Sequence, residues 1–249
     1  MEINKMKLLE LFSGTHSIGI VAEKKNIDVV SLDRDLGARS VIYDYESKNH
    51  IQEDIMTFDY KQFEVGEFDI ITASPVCLWW SCMRRAVLPK DKIENDINLY
   101  GKPMVDKIIE IINYLKPKYY WIENPYTGLM KHYIKSQYPE FYEKNIIVDY
   151  CKYDDEIGYQ KRTIFWTNIL MNGKKCKKDC KNMEGGRHKI NIAYNTYVID
   201  NEKKIFTNTK ALREKYKDYE KHKQKTTKNK YDRYKIPLSL VNDLLNKCI

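Results

Sequence analysis

Residues 8–23 read LLELFSGTHSIGIVAE. The apolar start, extended to Lys7 and Phe12, is the short run expected of a strand buried on both faces. Ser13, Gly14, Thr15 and His16 then make a polar turn, and residues 18–25 carry a helical pattern. Glycine lets the backbone of such a turn come close to a ligand, and strand, glycine turn and helix in that order open an α/β unit. The same alternation continues outward. Residues 29–32, 68–73, 119–122 and 163–166 read as further buried parallel strands, and residues 52–55 end another. The clearest helix is 104–115, with Val105, Ile108, Ile109, Ile112 and Leu115 on one face and Pro117 just past its end. Strands alternating with helices predict α/β class: a doubly wound, mostly parallel, Rossmann-like sheet.

After Asn168 this pattern stops. Residues 171–210 mix Lys, Asn, Gly and paired cysteines around one expected strand at 194–199. A charged helix is expected over 210–224 and a linker over 225–230; IPLSLVNDLLNKC, residues 236–248, is an amphipathic helix that packs back on the main core. The expected organisation is a main body at 1–170, a small basic insert at 171–233 and a returning segment at 234–249.

At 249 residues, 43% hydrophobic and 31% charged, the composition is that of a globular domain. No apolar run is long enough for a bilayer, and the start lacks a signal-peptide pattern, so no membrane partner is expected. Six cysteines are too sparse for a secreted disulfide framework and point to a reducing, cytoplasmic setting, or a host cell or virion for a viral protein. The net charge of +8 is unevenly spread: residues 171–235 hold 20 basic and 8 acidic side chains, net +12, and the remainder is net −4. Such a segment suits a polyanion, and a solvated lysine-rich surface reads the same on charge alone.

Ligands of open α/β sheets bind beyond the carboxyl ends of the strands. There the sequence places, in turn, the Gly14 turn, Asp33 to accept from ribose hydroxyls, Asp54 to accept from an adenine amino group, Ser74, Pro75, Val76 and Cys77, then Glu123, Asn124 and Pro125. Singly each is weak. Five in register at five successive strand ends are a constellation.

The runs LLELFSGTHSIGIVAE, SLDRD, EDI, SPVC, WIENP and QKRTIFWTN, closed by RYKIPLSLVNDLL, resemble in order and spacing the cytosine-5 DNA methyltransferase family, in the short form found in phages and large DNA viruses. The resemblance covers residues 7–168 and 234–249. It implies that Phe12, Ser13, Gly14 and Thr15 surround the methionine part of S-adenosylmethionine, that Asp33 holds its ribose and that Asp54 and Ile55 meet its adenine. Pro75 would line the transfer site. Cys77 would be the nucleophile, activated by an electropositive pocket that lowers its pKa from about 8.5. Glu123 would bind the N3 and amino edge of the base, with Gln160 and Arg162 supporting the loop and offsetting charge near the thiolate. The implied partner is double-stranded DNA with its target cytosine flipped out. RNA as substrate, or a cofactor-dependent binder without catalysis, are the other readings.

The chain departs from that pattern at His16, where glycine is usual, at Val76 and Leu78 around the nucleophile, and at Ile164, where a second arginine is usual. Cys82 reads as structural; Trp79 and Trp80 read equally as core or as contacts to a nucleotide beside the target. Cys151, Cys176, Cys180 and His188 remain. The C-x3-C-x7-H spacing with a distant fourth ligand suits a tetrahedral zinc site stapling a module that lacks its own core. Residues 184–188 read alternatively as a loop touching the phosphate backbone.

Overall fold

The computed structural model describes residues 5–35, 47–190 and 233–249, with the strands Thr196–Ile199 and Glu202–Ile205. The main sheet contains β1 (Lys7–Leu11), β2 (Asp28–Asp33), β3 (His50–Gln52), β4 (Ile70–Ala73), β5 (Tyr119–Pro125), β6 (Asn145–Asp149) and β7 (Arg162–Thr167). Their spatial order is β3-β2-β1-β4-β5-β7-β6, with β1 to β5 mutually parallel. The helices are α1 (Ser17–Lys24), α2 (Lys90–Asp96), α3 (Lys102–Leu115), α4 (Met130–Gln137), α5 (Pro139–Glu143) and α6 (Leu238–Leu245). Among the described residues no helix is long and apolar enough to cross a membrane.

Period-two side-chain direction divides the core into two layers. Leu9, Leu11, Ile71 and Ile122 meet the apolar stripe of α3, with α4 and α5 alongside. Leu8, Val29, Ile70 and Trp121 turn to the opposite face, which α1 and α6 cover. The α3 stripe is buried as its spacing predicts; Pro103 stands in its first turn, and Lys116, in the left-handed region, ends it by donating its N–H to the Ile112 carbonyl. The returning segment forms α6, which packs against α1.

One strand expectation is corrected. Residues 163–166 do form a buried strand, but β7 runs antiparallel to both β5 and β6. Its apolar run records burial and carries no direction, because the chain first passes it as β6 and then doubles back between β5 and β6. This reversal positions the site: the start of β7 lies at the carboxyl end of β5, with Thr163 opposite Pro125 and Phe165 opposite Glu123. A parallel β7 would have put residues 160–162 at the far edge of the sheet. The strand expected at 194–199 is Thr196–Ile199, paired with Glu202–Ile205; the helix expected at 210–224 and the linker at 225–230 lie outside the described residues.

Candidate active site

The turn after β1 is built from three left-handed residues, Phe12 (φ 58°), Gly14 (φ 48°) and His16 (φ 54°). Glycine adopts such angles freely; Phe and His do so at a cost, a form of strain that clusters at ligand-binding turns. Two buried carboxylates hold it. Asp33 Oδ2 accepts the Gly14 N–H at 2.9 Å and its Oδ1 accepts the Asp35 N–H at 2.9 Å. Glu10 lies in register with Ser31 and Thr72; it accepts the Gly19 N–H at 3.2 Å and the Ser31 hydroxyl at 3.0 Å, with His16 Nδ1 3.6 Å away. The returning segment closes the turn from above, where the Ile236 N–H donates to Ser17 Oγ at 3.1 Å.

This turn forms one wall of a cavity of about 1210 Å³. Phe12, Ser13, Gly14, Thr15, Asp33, Asp54, Ile55 and Pro75 all line it, and so do Cys77, Glu123, Gln160 and Arg162. The first group suits S-adenosylmethionine. Asp33 brings a carboxylate, an acceptor-only group suited to ribose hydroxyls, to the wall, and Phe12, Ile55 and Pro75 supply apolar surface. The buried hydroxyls of Ser13 and Ser74, also on the wall, have no hydrogen-bond partner among the described residues, so a polar ligand would satisfy both. Asp54 is tied at Oδ1 to the Met56 N–H at 3.0 Å, with Arg34 Nη1 3.6 Å from its Oδ2.

Across the cavity, Asn124 fixes the loop that carries Cys77 by donating from Nδ2 to the Pro75 carbonyl at 3.1 Å, and residues 77–80 turn through a Trp80 N–H to Cys77 carbonyl bond at 3.2 Å. The two tryptophans separate. Trp80 is buried, stacks on Tyr133 and fills the space that Gly101 leaves open, where a Cβ would lie 3.0 Å from its ring. Trp79 lines the cavity, stacked on Tyr100 at 4.7 Å with the Arg84 guanidinium 5.5 Å over its ring. Half-buried Cys82 lines the cavity too.

Glu123, 6% exposed, accepts the Tyr150 hydroxyl at 2.9 Å on Oε1 and has Lys161 Nζ 3.5 Å away. The charge near the thiol differs from the sequence expectation. Arg162 is spent on Asp149, which is fully buried and takes its Nε at 2.9 Å and its Nη2 at 2.8 Å, with Gln160 bonded to the same carboxylate. Lys161 is the cation that Cys77 feels. Burial pushes the Cys77 thiol above its ordinary range, the Lys161 ammonium pulls it down, and the Glu123 carboxylate adds to the rise. The expected lowering is therefore reversed, because desolvation outweighs one lysine. Lys161, Tyr150 and Glu10 were missed by the sequence reading; only Glu10, a lone charge inside an apolar run, left a signal there.

Residues 6–160 match the family model of the C-5 cytosine-specific DNA methylases. The chain belongs to that family. It is similar to the probable DNA (cytosine-5)-methyltransferase of Frog virus 3 (isolate Goorha), 36% identical over 189 residues that cover 72% of this chain and 79% of the relative. Solved structures similar to this methylase include the Entamoeba histolytica methyltransferase EhMeth, 19% identical with a TM-score of 0.47, and the S. pombe Dnmt2 methyltransferase, 17% identical with a TM-score of 0.43. Each alignment covers 70% of this chain, which spans 57% and 52% of those two chains respectively.

Proposed function

We propose that the chain transfers a methyl group from S-adenosylmethionine to carbon 5 of cytosine in double-stranded DNA, with Cys77 as covalent nucleophile. The observation that carries this reading is that Cys77 and Glu123 line the same cavity as the Gly14 turn and Asp33. Residues 1–170 and 234–249 would form the catalytic body, and 171–233 the basic recognition insert.

Cytosine C5 is a weak nucleophile because the ring is aromatic and electron-poor. The Cys77 thiolate adds to C6, the C5–C6 π pair shifts to C4–C5 and the C4–N3 π pair moves onto N3, making C5 enamine-like. Glu123 hydrogen-bonds the N3 and amino edge, which favours the protonated N3 of the adduct. Tyr150 and Lys161 fix the Glu123 carboxylate for that contact, and Lys161 also offsets the negative charge of the thiolate. The cofactor, when bound, supplies an electrophilic methyl on a cationic sulfonium. Carbon 5 then loses its proton, and the Cys77 sulfur leaves C6 with the C–S electron pair, restoring the aromatic ring. Attack on C6 requires the base to leave the duplex stack, at a cost of a few kcal/mol.

Trapping on 5-fluorocytosine tests this reading, since fluorine in place of the C5 proton blocks release of the enzyme. A cofactor-dependent covalent complex on duplex DNA and none on matched RNA is expected. Trapping on RNA alone would move the substrate to RNA, and trapping on neither would leave a binder without catalysis.

A further inference from the structure

A second cluster stands apart from the cavity, at the carboxyl end of β6. Cys151 lies in the turn directly after β6, Cys176 and Cys180 in the loop beyond β7, and His188 in the two-residue strand Arg187–His188. One ligand atom from each lies within 4.8 Å of all the others. His188 Nε2 is 3.7 Å from Cys176 Sγ and 3.3 Å from Cys180 Sγ. A tetrahedral Zn²⁺ with Zn–S of about 2.3 Å and Zn–N of about 2.0–2.1 Å has ligand–ligand edges of about 3.5–3.8 Å. Four soft or borderline donors converge to within about an ångström of that spacing, no edge exceeding 4.8 Å, and all three cysteines are free thiols. The Lys178 N–H already points at Cys176 Sγ, 3.3 Å away, a contact that stabilises a thiolate.

We propose that Cys151, Cys176, Cys180 and His188 bind one structural Zn²⁺ ion, which pins residues 171–190 to the edge of the sheet beside the catalytic cavity. The segment needs such a pin. Its hairpin, Met183–Glu184 with Arg187–His188, has only two residue pairs around Gly185 and Gly186, and a two-stranded hairpin is marginal by itself. Buried Asn182 makes part of the polar attachment, donating to the carbonyls of Cys151 and Asp154 and accepting the Gly158 N–H, beside backbone bonds such as Ile190 N–H to the Gly158 carbonyl. The metal ties the two cysteines of the loop and His188 of the hairpin to Cys151 of the body.

The ligands also border the active-site wall. Cys151 follows Tyr150, whose hydroxyl meets Glu123, and the Cys176 N–H donates at 2.7 Å to the Asp149 oxygen that holds Arg162. Zinc at this position fixes two supports of the cavity from outside it. The site does not depend on the chemistry proposed for Cys77.

The test uses the full chain, produced with zinc in the medium and purified under reducing conditions without chelator or histidine tag. Elemental analysis is expected to find about one Zn²⁺ per chain. Cys180→Ser and His188→Ala should each lose most of it, while Cys248→Ser, altered at a buried cysteine in the C-terminal turn, should keep it. Co²⁺ exchanged into the wild-type chain should give the intense visible bands of a tetrahedral, thiolate-bound ion, a readout that survives poor folding of the variants. Metal removal should raise amide exchange across 171–190 and leave α3 protected. A wild-type chain that holds no zinc and takes up none on titration overturns the proposal, as does a Co²⁺ spectrum without thiolate bands.

Discussion

At the scale of single residues, the proposed chemistry depends on where Cys77 sits relative to one cation. Cys77→Ser should abolish turnover and fluorocytosine trapping while cofactor affinity, read by calorimetry, stays within a few-fold, because a serine hydroxyl is too weakly acidic to add to C6. Trapping that persists in this variant would transfer the role to Cys82, which lines the same cavity. Since burial holds the Cys77 thiol up, the rising limb of kcat/KM with pH should lie above the ordinary thiol range of about 8.5. Lys161 pulls the thiol down, so Lys161→Met should move that limb to still higher pH, and the rate at neutral pH should fall about tenfold for every pH unit the limb moves. Lys161→Arg should restore most of the position; a limb that ignores all three side chains would remove Lys161 from the mechanism. Asp33→Ala should weaken cofactor binding by about 1–3 kcal/mol, measured by calorimetry, because ribose hydroxyls lose a charged acceptor and the Gly14 turn loses its anchor. The places of Asp33 and Cys77 on the cavity wall were legible because ligand cavities of such sheets lie at strand ends. Lys161 was not, although it stands beside Arg162, because its role depends on which way β7 runs.

At the scale of elements, sequence pattern revealed burial and period but not direction. The stripe of α3 and the returning helix α6 were readable from spacing alone. Strand β6, NIIVD, was overlooked, and with it the reversal that carries Asp149 and Arg162 to the edge where β5 ends. No local residue announces such a reversal, since a buried strand is apolar in either direction. The return of α6 has a measurable consequence. Leu244 is wholly buried against the α1 face of the sheet, so Leu244→Ala should cost about 2–5 kcal/mol, read as a lower urea midpoint at constant m-value. Because the Ile236 N–H anchors to Ser17 beside the Gly14 turn, looser packing of α6 should also weaken cofactor binding. A variant destabilised to that degree with unchanged cofactor affinity would uncouple the closing segment from the site.

At the scale of the whole molecule, charge is divided between two tasks. Residues 171–235 carry net +12 on a chain that is otherwise net −4, so this segment should supply most of the attraction to phosphate. Binding of that kind releases counterions, and log affinity for duplex DNA should fall linearly with log salt, by roughly 0.9 for each phosphate neutralised. Reversing the charge of Lys215, Lys217, Lys221 and Lys223 together should flatten that slope and weaken binding to all sequences alike. Cofactor affinity should stay where it was, because Asp33, Asp54 and the Gly14 turn belong to the other part of the chain. The choice of base should also survive, since phosphate contacts position a protein on the duplex and contacts at the base specify. Titrations at several salt concentrations with the wild-type and the fourfold variant separate these effects. An unchanged slope would make the lysine-rich stretch a solvated surface. The phosphate contacts would then have to come from the loop after Cys77, where Arg84 lies over Trp79 at the cavity wall.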